Sequence, residues 1–323
     1  MAEVASNALL IARSKGGRPA TALSEIDVEG LRQGLVWMHL TANDRAAATR
    51  LLTELGFHHL AIEDALNESE RPALHHYDHT VFLSATTVNV NGDGSEDYFE
   101  FGLFVGSTFV VSVTTRPCAC LEASFQRWMA NPHGLGKNPA FLLHTILDSI
   151  VDEYFPASDH LEDRIDAMEE EVYSGDRDAI TEALQLKRRL LRMRRHVVDA
   201  RDILNALLRG DGSLLTAEAR PYFQDVYDHA LRIAENLDLN RDILATIMDT
   251  QLSIVSNNLN RSMKIMTATA TILMSMGLIA GIYGMNFAYI PELHWRYGYQ
   301  FAWAFMGFVA VVEWVVFKRL GWF

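Results

Sequence analysis

The sequence predicts an α+β membrane protein. A cytoplasmic N-terminal α/β domain is followed by a cytoplasmic helical hairpin and a very long stalk helix, which continues into the first of two C-terminal transmembrane helices. Three observations predict this fold class: two apolar stretches lie in the last sixty residues, strand-like alternation occurs only before residue 135, and neither Gly nor Pro interrupts residues 222–276. The corresponding domain boundaries are 1–138, 139–215, 216–264 and 265–323.

The N-terminal domain shows strand and helix signals in alternation. Gly34–Leu40 is a predicted strand, and Asn43 or Asp44 is expected to cap a helix that stops at Gly56. A second predicted strand alternates in polarity and is rich in Val and Thr, and two further strands are expected to pair around Gly106-Ser107. These three strands are Val81–Val90, Tyr98–Val105 and Thr108–Thr114.

Strand signals vanish from Pro139 onward, so residues 139–212 are predicted to form a helical hairpin that turns near Ser174-Gly175-Asp176. The first arm is acidic, and the second carries a basic run made of Lys187, Arg188, Arg189, Arg192, Arg194 and Arg195. Two interpretations remain open. In the first, the acidic and basic arms form complementary charged faces that pair within the hairpin. In the second, the basic run of the second arm forms a patch that faces a membrane.

The stalk is predicted from what its sequence lacks. Tyr222–Met276 contains no helix breaker, and Pro221 stands where the first turn of a helix tolerates proline. Such a helix of 55 residues is about 80 Å long, far beyond the ~10–14 residues of an ordinary globular helix. So long a helix needs partners along its length.

Each apolar stretch has the length of a membrane span. Ile265–Tyr283 has no charged residue, and Tyr299–Phe317 has one, Glu313. Nineteen residues of helix extend about 28 Å, close to the roughly 30 Å hydrocarbon core of a bilayer. Because Glu313 lies near the end of its span, we expect its carboxylate to snorkel to the surface or to pair with Lys318.

Basic residues flank the two spans on one side: Arg261, Lys264, Lys318 and Arg319. The connecting loop carries one acid and one base, Glu292 and Arg296. Since lysine and arginine collect on the cytoplasmic side, both chain ends and the large N-terminal part are predicted to be cytoplasmic. The expected location is the cell (inner) membrane, with the chain crossing it twice.

One face of the predicted stalk and first span carries only small, polar or methionine side chains. We call this face the polar stripe; in steps of four and three residues it consists of Asp249, Ser253, Ser256, Asn260, Met263, Thr267, Ala270, Met274, Gly277, Gly281 and Gly284. Residues that recur with a period of 3.5 stay turned towards the common axis of a helical bundle. Small residues on such a face are also typical of close helix packing in membranes. The stripe can therefore be interpreted either as the wall of a pore or as a packed contact between helices.

Three features favour a pore. Methionines among the small residues hinder close packing and form a flexible, dehydrating constriction. The stripe extends as a polar entrance towards Asp249 on the cytoplasmic side, and Asn286 lies just beyond its outer end. Two spans cannot enclose a channel, so a pore requires several copies of the chain, with the first span inside and the second outside.

The polar groups at the outer end suit a divalent cation. A ring of Asn286 carboxamides presents neutral oxygens, and a ring of Glu292 carboxylates at the outer mouth raises the local cation concentration. Mg²⁺ loses its waters reluctantly, and neutral amide oxygens recognise a hydrated ion without trapping it. No nucleotide-binding motif occurs in the sequence, so transport is expected to run down the ion's gradient.

Composition argues against other classes of function. With 28 basic and 41 acidic residues the net charge is −13, which disfavours nucleic acid as a partner and attracts cations. Cys118 and Cys120 are one residue apart, which predicts ordinary reduced thiols and neither a disulfide nor a zinc finger. The histidine pairs lack helical metal-ligand spacing, and no nucleophile elbow is present. We therefore expect no enzyme and no organic cofactor.

The motifs at the spans resemble the CorA family of divalent-metal-ion transporters. They are Tyr283-Gly284-Met285-Asn286, Ile290-Pro291-Glu292-Leu293 and the ending Lys318-Arg319-Leu320-Gly321-Trp322-Phe323. Upstream, the stretches from Pro221 to His229 and from Ala61 to Asn67 are similar to the family's stalk start and N-terminal domain. The resemblance covers residues 34–323.

The resemblance implies a homopentameric funnel that transports Mg²⁺ and Co²⁺ through a pore whose outer filter is Gly284, Met285 and Asn286. It also implies regulation by Mg²⁺ bound between cytoplasmic domains. Matched by motif, Asp64 and Glu63 would face Asp225 and Asp148 of neighbouring subunits. A divalent ion would bridge these carboxylates and hold the pore shut, and its loss would release the interface.

Some residues depart from the family pattern. Ser275 and Gly277 stand where the family's first span often carries Pro and Thr, which removes a kink and a hydroxyl from the pore wall. A related zinc-transporting branch usually departs from the motif Tyr283–Asn286 and from Pro291-Glu292-Leu293. The resemblance therefore favours Mg²⁺ and Co²⁺ over Zn²⁺. Two alternatives stay open: a zinc, nickel or cobalt transporter of the same superfamily, and a membrane-anchored scaffold or signalling protein whose helix only transmits force.

Overall fold

The computed structural model describes residues 8–13, 35–67, 72–77, 79–92, 94–130, 138–174, 179–210, 214–286 and 290–323; the side chains of 8–13, 172–174, 179 and 292–293 lie outside this description. The chain forms two compact units. The first contains residues up to Glu171 together with Asp178–Ala245, and the second contains Val172–Arg177 and Thr246–Phe323.

A six-stranded mixed sheet forms the centre of the first unit. Its strands are β1 (Ala8–Arg13), β2 (Val36–Thr41), β3 (Leu74–Tyr77), β4 (Thr80–Val90), β5 (Glu96–Val105) and β6 (Phe109–Thr114). Their order is β1-β2-β6-β5-β4-β3, and only the β2–β6 pair is parallel among these strands. The predicted strands and the hairpin around Gly106 are confirmed. The strand β1 is additional.

Two short helices cover one face of the sheet. They are α1 (Arg45–Glu54) and α2 (His59–Leu66). As predicted, the Asp44 side chain caps α1 by accepting hydrogen bonds from the amides of Ala46 and Ala47, and Gly56 ends this segment with a φ of 82°. The side chains between helices and sheet form a buried apolar core that includes Met38, Leu52, Ile62, Phe104 and Val111.

Aromatic packing holds helices on the opposite face. Adjacent strand residues point to opposite sides of a sheet, so Trp37 faces away from the core around Met38. It packs edge-on against Phe125 and Trp128 of α3 (Ala119–Ala130), and its indole N–H donates to Ser112 Oγ at 3.0 Å. The Tyr154 hydroxyl donates to the carbonyl of Thr86 at 3.0 Å, which fixes the start of the next helix layer on the sheet.

Three helices make up the predicted helical hairpin region: α4 (Pro139–Asp152), α5 (Tyr154–Ser174) and α6 (Ala179–Arg209). Two of the basic residues on α6 do not pair with the acidic arm. Arg189 binds Glu96 of β5, whose side chain is 3 % exposed, and Arg194 forms a two-bond ion pair with Asp238. The charges at these two positions therefore attach α6 to the sheet and to the next helix.

The stalk prediction is confirmed. Helix α7 runs from Arg220 to Tyr283, 64 residues, with Pro221 in its first turn. After it come a short 3₁₀ helix, Pro291–His294, and α8, Gly298–Arg319. Helices α7 and α8 each contain a stretch long and apolar enough to cross a membrane.

The two cysteines carry free thiols, as expected. Their sulfur atoms are 3.3 Å apart, and the Cys120 sulfur also lies 3.6 Å from Thr87 Oγ1. Both thiols lie between α3 and the sheet.

Candidate ion pathway and metal-binding cluster

The polar stripe is exposed along the whole of its length within α7. Asp249, at the end of the stripe that precedes the first span, is exposed, as are the eight stripe residues from Asn260 to Gly284. The two methionines of the stripe, Met263 and Met274, are 61 % and 75 % exposed. Other described parts of the single chain therefore leave most of the stripe uncovered.

Helix α8 covers a different face of α7. Within the span, Ala268 is buried, and six residues are partly buried: Thr271, Ile272, Ser275, Met276, Ile279 and Tyr283. An α-helix turns about 100° per residue, which places the mean direction of these residues roughly 180° from that of the stripe. The hydrogen bond from Ser275 to Glu313 identifies α8 as the helix on this side. The stripe therefore faces away from α8.

Exposed apolar residues occupy the remaining surface of α7. Leu252, Leu259 and Leu273 are each about 60 % exposed (58 %, 62 % and 63 %). Exposure alone therefore does not separate a pore wall from a lipid-facing wall. The two surfaces differ in chemistry: the leucines suit lipid or partner helices, while the stripe has no Leu, Ile, Val or Phe.

Near the start of the first span, the stripe borders the last residues of the chain. A groove of about 560 Å³ is lined by Asn260, Met263 and Thr267 of the stripe and by Gly321, Trp322 and Phe323. Arg261 and Lys264 line the same groove. The basic residues that predict the cytoplasmic side therefore lie beside the inner end of the candidate pathway.

The predicted filter begins where α7 ends. The amide of Gly284 donates to the carbonyls of Ala280 and Gly281, and the amide of Met285 donates to Ile282, so both residues continue the last turn of the helix. Met285 is 49 % exposed, and Asn286 is exposed just beyond this turn. Glu292, the predicted outer-mouth acid, lies in the 3₁₀ helix, but its side chain is outside the described residues.

Glu313 does not make the expected contact with Lys318. The Lys318 ammonium instead lies 4.9 Å from the centre of the Trp314 ring, where a cation–π contact holds it. Glu313 Oε1 accepts a hydrogen bond of 2.6 Å from Ser275 Oγ on α7. The expectation of a Lys318 pair is wrong, because the carboxyl group points inward to the other membrane helix.

The predicted regulatory acids form two groups within one chain. Glu63 and Asp64 lie on α2, against β4, β5 and β6, and Asp64 is close enough to Tyr77 to contribute, after burial, to raising the pKa of its hydroxyl. Asp148 lies on α4 and Asp225 on α7. The predicted pairing of the two groups is between neighbouring subunits, so the single chain leaves it a prediction.

Asp148 belongs to a cluster that can hold a metal ion. The ligand atoms of Asp148, Asp152 and His229 all lie within 4.8 Å of one another. His229 Nε2 is also 3.9 Å from Asp225 Oδ2, and its Nδ1 is buried without a hydrogen-bond partner in the described part of the chain. Two carboxylates and an imidazole are suitable ligands for a divalent cation. We call Asp148, Asp152, Asp225 and His229 the α4–α7 cluster.

The electrostatics of the α4–α7 cluster favour a bound cation. Burial first, and then the neighbouring Asp148 carboxylate, raise the pKa of Asp152 above its ordinary value, although His229 and Arg127 oppose this. Burial lowers the pKa of nearby His144, while Asp148 and Asp225 oppose the change. Binding of a proton or of a divalent cation relieves the repulsion between such closely spaced carboxylates.

Asp152 and His229 were not among the residues chosen from the sequence. A signal for them was present, because Asp148 and Asp152 are four residues apart, as are Asp225 and His229. Residues at this spacing lie on one face of a helix. Two such pairs on two packed helices make a four-residue site, but the packing of α4 against α7 is not visible in the sequence.

Comparison with known proteins agrees with the fold. The family described as "CorA-like Mg2+ transporter protein" matches residues 32–319. The "Cobalt/magnesium transport protein CorA" of Thermotoga maritima is 34% identical over 290 residues, 88% of this chain and 83% of that protein. The "Putative metal ion transporter YfjQ" of Bacillus subtilis is 32% identical over 93% of this chain and 95% of its own length.

A solved structure extends the likeness to the whole fold. The CorA magnesium transporter from Methanocaldococcus jannaschii superposes with a TM-score of 0.87, at 23% identity, over 98% of this chain and 99% of that one. The predicted fold class is therefore confirmed: an N-terminal α/β domain, a long helix and two C-terminal apolar helices in a membrane protein. The family is one of transporters and not of enzymes, and this chain belongs to the CorA-like Mg²⁺ transporter family.

Proposed function

We propose that this protein transports Mg²⁺, and also Co²⁺, passively across the cell membrane through a pore made by several copies of the chain. The observation that carries the proposal is the orientation of α7. Its polar stripe faces away from α8, so copies of the chain can meet along the stripe with α8 outside. Relatives named as cobalt/magnesium or metal ion transporters support the choice of ion.

The pore runs from Asp249 at the cytoplasmic entrance to Asn286 at the outer filter. Methionine and small side chains between them leave space for a hydrated ion without offering a charged trap. At the filter, Gly284 and Met285 close the helix, and the Asn286 carboxamides recognise the hydration shell of Mg²⁺. Glu292 concentrates cations at the outer mouth.

The assembly we propose is a homopentamer with both chain ends in the cytoplasm. Pentameric symmetry and this topology come from the family resemblance, together with the basic residues at the inner span ends. Within it, Glu63 and Asp64 of one subunit face the α4–α7 cluster of a neighbour. Mg²⁺ bound there bridges carboxylates that otherwise repel, and the bridged state is the closed one.

The α4–α7 cluster sharpens this regulatory proposal. Asp148 and Asp225 were predicted as sensors, and the structure surrounds them with Asp152 and His229. Each cluster therefore already holds several ligands on one subunit. The neighbour's carboxylate completes the coordination, so ion binding strengthens the contact between subunits.

Purified protein in liposomes tests the proposal. We expect Mg²⁺ and Co²⁺ to enter dye-loaded vesicles down their gradients without nucleotide, and the rate with Asn286→Ala to fall to that of empty vesicles. The matched control is Asn258→Ala, an exposed asparagine on a face of α7 away from the stripe. Both variants should elute at the size of the parent oligomer.

Two outcomes would contradict the proposal. Unchanged flux in Asn286→Ala would remove the filter assignment. An absence of Mg²⁺ and Co²⁺ flux in the folded parent, at low Mg²⁺ on the cytoplasmic side, would favour the scaffold interpretation. Flux of Zn²⁺ and Ni²⁺ in the same vesicles, with and without a pH gradient, separates the zinc, nickel or cobalt alternative.

A further inference from the structure

A hydrogen bond joins the two membrane helices. Ser275 Oγ on α7 donates to Glu313 Oε1 on α8 over 2.6 Å. Both residues lie inside the stretches that are long and apolar enough to cross a bilayer. A carboxyl group at such a position is costly, and membrane proteins keep one there when it has a task.

No positive charge neutralises Glu313 within the described residues. Between Ile265 and Tyr283, α7 carries no charged side chain, and its titratable group in that range is Tyr283 at the outer end. On α8 the other titratable groups are Tyr299, also at the outer end, and Lys318 and Arg319 in the last turn. The Lys318 ammonium is held over Trp314, and Glu313 forms no ion pair in the described structure.

The second carboxyl oxygen makes ionisation unfavourable. Glu313 Oε2 is buried and has no hydrogen-bond partner among the described residues. An ionised carboxylate in this position would leave a charged oxygen without a hydrogen-bond donor or a cationic side chain among the described residues, which is unfavourable in an apolar environment. A proton on the carboxyl group removes that charge and leaves Oε1 able to accept from Ser275.

We propose that Glu313 is a proton-binding site inside the membrane, and that its protonated form clamps α8 to α7 through Ser275. The loss of the proton to water produces a carboxylate that is poorly accommodated between the helices, and the clamp opens.

The clamp also fixes the rotation of the pore-lining helix. Ser275 and Gly277 are two residues apart, which places them roughly 200° apart around α7. Holding Ser275 against α8 therefore aims Gly277 and the rest of the stripe away from α8. Glu313 is thus a positioning residue for the pathway, although its protonation can be measured without transport.

Infrared spectroscopy of the full-length protein in lipid nanodiscs reads the proton directly. We expect the parent to show the C=O stretching band of a protonated carboxyl group. The band should disappear in Glu313→Gln and move to higher frequency in Ser275→Ala, which loses the hydrogen bond. The matched control Glu235→Gln changes an exposed glutamate outside the span and should leave the band unchanged.

Transport gives a second readout. Ser275→Ala and Glu313→Leu should each lower Mg²⁺ flux about threefold to twentyfold, the range expected for one hydrogen bond between membrane helices.

The proposal fails if the parent lacks a protonated-carboxyl band that Glu313→Gln removes. It also fails if the band is present but insensitive to Ser275→Ala, because the proton would then serve no clamp. If the infrared result holds and flux is absent, the proposed function fails and this inference stands.

Discussion

Crowded acids around Asp152 are the residue-scale feature with the most direct chemical consequence. Burial and the Asp148 carboxylate raise the pKa of Asp152 above 3.8, so its ionised form destabilises the folded protein. This destabilisation is relieved as the pH falls through the window between the raised pKa and 3.8. A divalent cation relieves it at higher pH by replacing the proton.

We therefore predict that the metal-free protein gains thermal stability as the pH falls through that window, and that Asp152→Asn gains less. In saturating Mg²⁺ the parent should lose this part of its pH dependence. Melting temperatures measured over a pH series check both statements. Asp159→Asn, an exposed position on α5, is the matched control. Identical pH profiles for the parent and Asp152→Asn would remove Asp152 from the cluster.

Gly102 is the residue that lets α2 approach the sheet. A Cβ atom at this position would lie 2.7 Å from the Cβ of Ala65 and 3.1 Å from its Cα. Since Ala65 is one residue from Asp64, the contact also sets the position of that predicted sensor acid. Close packing of backbone on backbone leaves no flexible side chain to move aside.

Gly102→Ala should consequently destabilise the folded protein by about 1–3 kcal/mol, the usual cost of overpacking. Denaturant unfolding of the detergent-solubilised protein, followed by tryptophan fluorescence, measures this. Gly92→Ala should change the free energy of unfolding far less, because nothing lies within 4 Å of a Cβ there. An equal cost at the two positions would contradict the close approach of α2.

At the scale of elements, the two faces of α7 differ in what they contact. The face with Ala268 and Ser275 packs towards α8, and the polar stripe lies on the opposite side. Threonine occurs on the stripe at Thr267 and off it at Thr269, and both side chains are exposed in the single chain. The same substitution can therefore be made at both threonines, once on the stripe and once on another face of α7.

Thr267→Leu should stop Mg²⁺ flux, because it fills the stripe with an apolar side chain, whereas Thr269→Leu should conduct. Dye flux in liposomes gives the measurement, and size-exclusion chromatography confirms that both oligomers are intact. Equal conduction by the two variants would mean that the stripe is a packed seam or a force-transmitting surface and not a pore wall.

Strong periodicity and standard caps made several elements predictable. The strands β2, β4, β5 and β6, the capped helix α1 and the long α7 follow from alternation, from Asp44 and from the lack of Gly and Pro. Helix α2 escaped prediction because its cap is His58, whose ring Nδ1 accepts from the amide of Leu60, in place of the usual Ser, Thr, Asp or Asn.

At the scale of the whole molecule, the site divides into parts that the sequence reveals and parts that it does not. The stripe and filter are continuous in the sequence, so periodicity and motif identify them. The α4–α7 cluster depends on tertiary packing, and the Ser275–Glu313 bond joins positions 38 residues apart. Contacts between subunits have no local signal at all, and the pairing of Asp64 with Asp225 stays a prediction.

That pairing predicts how Mg²⁺ acts on the assembly. Mg²⁺ should raise the melting temperature of the parent, since it binds the folded interface, and should raise that of Asp64→Ala with Asp225→Ala much less. Differential scanning fluorimetry of the detergent-solubilised oligomer measures the shift. Equal shifts in both proteins would place the regulatory ion elsewhere.

The central claim is that several copies of this chain surround one axis with the polar stripe inside and α8 outside. Electron cryomicroscopy of the full-length protein in a lipid nanodisc tests it most directly. The account predicts five copies, with Met274 and Gly277 facing a central pathway that leads to a ring of Asn286 side chains. A single copy in the disc, or an assembly in which α8 lines the axis and the stripe faces lipid, would contradict it.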